Sequence, residues 1–380
     1  MSQNKPARRI VLKLGTNLLT SGRGRLDTGI MSDLVGQVAR LRRQGFQFLI
    51  VSSGAVAAGR SKLGLTPESS RELKGIPLKQ VLAAVGQSGL MKTYEELFEK
   101  HGVVVAQALL SRSDLVDRAG YLNARNTLMA LIDLGVITVI NENDVVAVEE
   151  LEGACFGDND NLSGMVANLI DADLLIMLTD IGGLYTADPR CNEAASLITE
   201  VTEITGDIRA AAAGPRVSGG TGGMVTKLEA AGLATNSGVT VVIVPGREPD
   251  VIARVLRGEA IGTRFIPSAR RESRERWMLS GLSTRGRVTV DEGASRALLL
   301  QNRSLLAAGI KNIGGDFERG DIVDILDSTG KRLGCGISSY SSVELSRIIG
   351  KRSNNISAIL GHDYGAEVVH RNNLALVRED

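Results

Sequence analysis

A chain of 380 residues, 43% hydrophobic and 23% charged, is long enough for two domains and excludes a disordered or fibrous protein. Its 44 basic residues are balanced by 43 acidic ones, so no net charge draws it to nucleic acid or to an anionic membrane. Cys155, Cys191 and Cys335, like His101, His362 and His370, fall at no disulfide-framework or metal-site spacing, which points to a reducing, cytoplasmic setting. The opening MSQNKPARRI lacks a signal peptide's apolar core, and no run reaches membrane-spanning length.

Short β-branched or apolar runs predict strands at 10–14, 48–52, 103–106, 136–140, 174–178 and 239–244. Helical periodicity fills the stretches between them; Ile30, Leu34, Val38 and Leu41 share one face before Gly45. Alternating strands and helices predict an α/β domain with a mainly parallel sheet covered on both sides, and "VITVI" and "LLIML" have the continuous apolar character of doubly buried strands. Ligands bind such sheets beyond the strand carboxyl ends. Those ends carry Lys13, Gly15, Thr16 and Asn17; Ser52, Ser53 and Gly54; Asn141, Glu142, Asn143 and Asp144; and Thr179, Asp180, Gly182 and Gly183. Singly, each reads better as a structural turn. Four on one sheet would converge on one crevice.

Two further stretches carry chemistry. "GDNDNLS" (157–163) precedes a helical face of Leu162, Met165, Val166, Leu169 and Ile170, and one Asp or Asn would be enough to cap that helix. "GGTGGMVTK" (219–227) is a glycine-rich loop whose amides and Lys227 suit an anion, with a helix N-terminus near Met224. Neither GxxxxGK[ST] nor GxGxxG after a strand is present, so phosphate binding here would use neither a P-loop nor a dinucleotide fold.

Taken in order, "VLKLGTNLLT", "VSSGAVAAGR", "LAAVGQSGLM", "YLNARNTL", "VINENDVV", "FGDNDNLSGMVA", "LTDIGGLYTADPR" and "GTGGMVTKLEAA" resemble the glutamate 5-kinases of the amino acid kinase family. The resemblance implies the amino acid kinase fold and ATP- and Mg²⁺-dependent phosphorylation of the γ-carboxylate of L-glutamate, the first step of proline biosynthesis. It also implies a cytoplasmic homo-oligomer inhibited by proline. By the same resemblance, Lys13 and Lys227 approach the transferring phosphate, with Asp160 accepting hydrogen bonds from both. Lys13, Thr179 and Asp180, with Thr221, Gly222, Gly223, Met224, Val225, Thr226 and Lys227, match nucleotide-binding positions, and Ser53, Asp144 and Asn159 match glutamate-binding ones. The chemistry agrees: a carboxylate with an ordinary pKa near ~4.3 is already ionised at neutral pH and needs no general base. Positioning and charge neutralisation remain, and Asp144 suits a free α-ammonium. Asp160→Asn separates the capping reading from this one, because Asn caps as well as Asp; activity is expected to fall with little change in melting temperature.

The charged segment 264–276 reads as a linker between a kinase domain (1–263) and a small mixed-β domain (277–380) resembling a PUA domain. PUA domains are best known as RNA-binding modules, which makes RNA binding a second reading. Region 277–380 holds 13 Lys/Arg against 12 Asp/Glu, so it lacks a net basic footprint and favours a structural or regulatory role, although a net count does not locate charges. An N-acetylglutamate kinase is the nearest enzymatic variant; acylation would remove the charge that Asp144 is expected to meet.

Overall fold

The computed structural model describes residues 8–20, 24–65, 76–116, 118–146, 159–189, 191–192, 194–212, 223–267, 284–301 and 303–377. These fall into two compact units, one within 1–114 and 128–268, the other within 115–127 and 269–380.

The first unit is built on β1 (Arg9–Leu14), β2 (Gln47–Ser52), β3 (Val105–Leu110), β4 (Ile137–Glu142), β5 (Leu174–Thr179), β6 (Glu200–Val201), β7 (Thr240–Pro245) and β8 (Thr263–Phe265). They form one sheet in the order β3-β4-β2-β1-β5-β7-β8-β6. All neighbouring strands run parallel except β7 and β8, which are antiparallel. The four polar strand ends singled out in the sequence belong to β4, β2, β1 and β5, which are consecutive in this order, so they do meet along one edge of the sheet. Register tightens the point: Leu14 pairs with both Ser52 and Leu178, so Gly15, Ser53 and Thr179 leave the sheet at one level.

Two strands depart from the apolar runs that predict them. β3 is an edge strand whose side chains alternate between half-buried and exposed, so its run "VAQALL" lacks the continuous apolar signature and extends beyond 106. β4 continues through Asn141 and Glu142, which places these two polar residues inside the strand.

The helices of this unit are α1 (Thr16–Thr20), α2 (Thr28–Arg42), α3 (Ala55–Lys62), α4 (Ile76–Glu99), α5 (Arg112–Val116), α6 (Arg118–Asp133), α7 (Asn159–Leu169), α8 (Gly206–Ala212), α9 (Met224–Asn236) and α10 (Val251–Leu256), with the start of α6 grouped in the second unit. α2 buries Met31, Leu34, Val35, Val38 and Leu41, the face its periodicity predicts, and Asp27 caps it by accepting from the Gly29 and Ile30 amides. α3 and α4 touch through backbone: a Cβ on Gly59 would lie 1.9 Å from the Leu82 carbonyl oxygen, and one on Gly86 1.9 Å from that of Ala55. Only glycine permits this crossing, which lets α3 start directly after β2 at Gly54 (φ 108°).

In the second unit, β11 (Ile310–Gly315), β9 (Gly286–Val290), β12 (Ile322–Leu326), β13 (Arg332–Ile337) and β15 (Leu374–Leu376) form a mixed sheet in that order, with β9 and β12 parallel; β10 (Leu305–Leu306) pairs with β14 (Glu367–Val369). Val288, Phe317, Ile325, Tyr340, Leu345 and Ile356 are buried together as its core. Residues 115–127 pack with this unit: Arg319 Nη1 donates to Asn123 Oδ1 at 2.6 Å, and Asn126 Nδ2 donates to the Tyr364 carbonyl oxygen at 2.8 Å.

Candidate active site

The strand ends of β4, β2, β1 and β5 open into a cavity of about 440 Å³. Lys13, Ser53, Asp144 and Asn159 line it, as do Thr179, Asp180 and Lys227. Seven residues proposed from sequence, drawn from six separate segments, thus face one space. Of the rest, Thr221 and Gly222 lie outside the described residues, as do Gly157, Asp158 and segment 147–156. Gly223, Met224, Val225 and Thr226 are described but do not line the cavity.

The centre of the site is Asp160. It sits in the first turn of α7 with no exposed surface, and its side chain meets two lysines. Lys13 Nζ lies 2.5 Å from Oδ1 and Lys227 Nζ 3.1 Å from Oδ2, each lysine side chain less than a tenth exposed. Thr226 donates its hydroxyl to Asp160 Oδ2 at 2.9 Å. Burial pushes the carboxyl pKa up, but the two ammonium charges and the hydrogen bonds from Lys13 and Thr226 outweigh it and hold the pKa at about 2. The carboxylate is therefore ionised, and it gathers two cations at the cavity wall with one positive charge left over. A charged group this buried persists only when paired.

Helix packing explains the alignment. Gly164 of α7 lies against Ala230 of α9, where a Cβ would stand 2.9 Å from the carbonyl oxygen. Asp160 is one turn before Gly164, and Lys227 one turn before Ala230 and Ala231, so the close crossing brings their side chains together. The N-cap of α9 is Gly223, which supplies no side-chain cap, and a helix N-terminus beside Lys227 suits an anion. At β5, Asp180 is fixed by Asn17 Nδ2 at 3.2 Å and by the Thr179 hydroxyl at 3.1 Å.

The other wall is an amide network. Asn159 Nδ2 donates to Asn141 Oδ1 at 3.0 Å and to Ser53 Oγ at 3.2 Å, while Asn141 Nδ2 donates to Gln87 Oε1 at 2.8 Å. Ser52 Oγ lies 2.8 Å from the buried Tyr94 hydroxyl beneath. Asp144, half-buried, also lines the cavity. Sequence reasoning did not single out Arg60, Lys79 or Gln87. Arg60 and Lys79 also line the cavity. Arg60 follows Val56 by one helical turn, and both face the cavity, a spacing that the sequence does contain. Nothing local marks Lys79.

A cavity with two lysines bridged by one carboxylate at one side, and a carboxylate with amides at the other, suits a pair of anions, one of which also bears an amine. Comparison with known proteins agrees. The sequence pattern of the amino acid kinase family matches residues 8–245 and that of the PUA domain residues 286–360. The chain is 58% identical over 372 residues to a glutamate 5-kinase of Dehalococcoides mccartyi (strain CBDB1), covering 97% of this chain and 98% of the relative. It is 49% identical over 367 residues to a glutamate 5-kinase of Herpetosiphon aurantiacus, covering 96% and 97% respectively. A carbamate kinase structure from Giardia lamblia, 16% identical, covers 68% of this chain and 98% of its own with a TM-score of 0.48. The chain belongs to the amino acid kinase family and carries a C-terminal PUA domain.

Proposed function

We propose that this chain transfers the γ-phosphoryl group of ATP to the γ-carboxylate of L-glutamate, making L-glutamyl 5-phosphate for proline biosynthesis. The observation that carries the reading is the Lys13–Asp160–Lys227 bridge on the cavity wall. Phosphoryl transfer between two anions needs little from a protein except alignment and positive charge, and this bridge supplies both. Lys13 and Lys227 neutralise the transferring phosphate, and Asp160 keeps them in place. Thr179, Asp180 and the start of α9 hold the nucleotide; Ser53, Asn159 and Asp144 hold glutamate, with Asp144 meeting the ammonium. The γ-carboxylate attacks as the ion it already is and needs no general base.

Among the described residues no group of three or more His, Cys, Asp or Glu side chains is placed to hold a metal. Magnesium would arrive on the nucleotide, since the ion keeps several waters and binds largely through substrate phosphates. Once bound, it supplies further charge neutralisation at the phosphates. We assign the kinase domain to catalysis and the C-terminal PUA domain to a structural or regulatory role; Arg264 and Phe265, expected in a linker over 264–276, instead belong to β8 of the first unit's sheet. The protein acts as a cytoplasmic homo-oligomer under feedback inhibition by proline. Among the described residues no helix is long and apolar enough to cross a membrane.

RNA binding through the PUA domain is the reading to set against this one. Parallel titrations of the full chain with ATP, L-glutamate and a structured RNA separate the two. Saturable ATP and glutamate binding without RNA binding is expected; tight, salt-sensitive RNA binding with no glutamate response overturns the proposal.

A further inference from the structure

The amide network behind the cavity has a direction. Asn159 donates its Nδ2 to Asn141 Oδ1, and Asn141 donates its Nδ2 to Gln87 Oε1. Asn141 Oδ1 also accepts from the Glu142 amide at 2.9 Å, so both of its acceptor directions are filled from the protein. Asn159 and Asn141, which both line the cavity, thus each pass an N–H along the row, and it ends on the oxygen of Gln87 in α4. Two buried atoms are left without a partner, one at each end: Gln87 Nε2 and Asn159 Oδ1. Asn159 lines the cavity; Gln87 does not.

The two ends of a carboxamide are nearly equal in size, and only hydrogen-bond partners decide which way it faces. With Asn159 Nδ2 already donating to Asn141 and Ser53, the group that Asn159 keeps for a ligand is an acceptor. Resting on the glutamate reading above, we infer that Gln87 is a positioning residue for the amine end of the substrate. Its Oε1 holds Asn141 Nδ2, which keeps Asn141 Oδ1 turned to Asn159 and Asn159 Oδ1 turned to the ammonium. Without the Gln87 oxygen, Asn141 Nδ2 is a buried donor with no acceptor. It recovers one by turning over, which costs the Glu142 bond and offers Asn159 a donor where it needs an acceptor. Asn159 then turns its own donor toward a cation. Gln87 thus acts on the amine and not on the phosphoryl group, which sits at the lysine side of the cavity.

Steady-state kinetics of the full-length protein test this with Gln87→Met, which keeps the length and removes the acceptor, and Gln87→Glu, which keeps an acceptor oxygen. In Gln87→Met the KM for glutamate rises about tenfold, the scale of one lost buried hydrogen bond. Its KM for ATP and its kcat stay near wild type, and Gln87→Glu returns the glutamate KM toward the wild-type value. If Gln87→Met fails to fold, Gln87→Ala removes the same acceptor without the longer side chain. An unchanged glutamate KM in a folded acceptor-less variant overturns the inference. So does an equal rise in both KM values, or a Gln87→Glu variant no better than Gln87→Met. A wild-type protein that does not phosphorylate glutamate at all is a separate result, and it removes the parent reading together with this one.

Discussion

Replacing Asp160 by Asn preserves shape and removes one charge, and the structure sets the size of the effect. The residue has no exposed surface and accepts from Lys13 at 2.5 Å and Lys227 at 3.1 Å. Removing one partner of a buried ion pair costs about 3–5 kcal/mol, and the lower end applies here because both lysines can turn to the cavity. For a domain of this size about 3 kcal/mol lowers the melting temperature by roughly 6–12 °C. This differs from the expectation from sequence, where the melting temperature changes little; the difference is the buried ion pairing with Lys13 and Lys227. Misaligned lysines lower kcat about a hundredfold or more. Acid provides an independent arm. The folded carboxyl titrates at about 2 against its ordinary 3.8, so its stabilisation is fully present above 3.8 and is lost as pH falls from there through 2. The gap between wild type and Asp160→Asn therefore narrows as the medium is acidified across that window. The assay is a steady-state rate beside thermal melts of both proteins at neutral and acid pH. A variant with wild-type kcat and wild-type melting temperature refutes the bridge as either a catalytic or a stabilising element.

Asp144→Asn is expected to raise the KM for glutamate tenfold or more, the loss of a charge-assisted bond of roughly 1.5–3 kcal/mol, with nucleotide affinity intact. An unchanged glutamate KM with weakened ATP binding contradicts its assignment to the ammonium. Gly86→Ala forces a Cβ to 1.9 Å from the Ala55 carbonyl oxygen, and α3 and α4 must part. Overpacking of this kind costs about 1–3 kcal/mol or more, read as a lower denaturation midpoint; a wild-type midpoint would show that the two helices do not cross so closely.

Much of this site was legible before folding because its residues follow directly from strand ends, and β4, β2, β1 and β5 turn out to be neighbours. Lys13, Ser53, Asp144 and Thr179 needed only that rule. Asp160 was legible as surplus: one polar residue suffices for a cap, and "GDNDNLS" carries four. The strand ends themselves were read less well. β3 is half exposed at the sheet edge and lacks a continuous apolar run, and β4 outlasts its apolar stretch, which hid Asn141 inside a strand. Thr226 was assigned to the nucleotide because it sits in the glycine-rich loop motif. Its side chain turns to Asp160, a choice made by the α7–α9 crossing and not by the local sequence. Gln87 lay within the motif "LAAVGQSGLM" but was not singled out. A polar residue on a long, largely apolar helix acquires meaning only when the fold decides which buried amide meets its oxygen. The packing of residues 115–127 with the C-terminal unit is of the same tertiary kind.

The central claim is that glutamate, with its amine free, is the phosphoryl acceptor. The most direct measurement incubates the protein with ATP, Mg²⁺ and hydroxylamine, which captures an acyl phosphate as a hydroxamate, and compares L-glutamate with N-acetylglutamate as acceptor. Strong hydroxamate formation with glutamate and little with the acetylated form is the predicted result. Hydroxamate from N-acetylglutamate but none from glutamate would contradict the assignment of Asp144 and Asn159 to a free ammonium, and the account built on it.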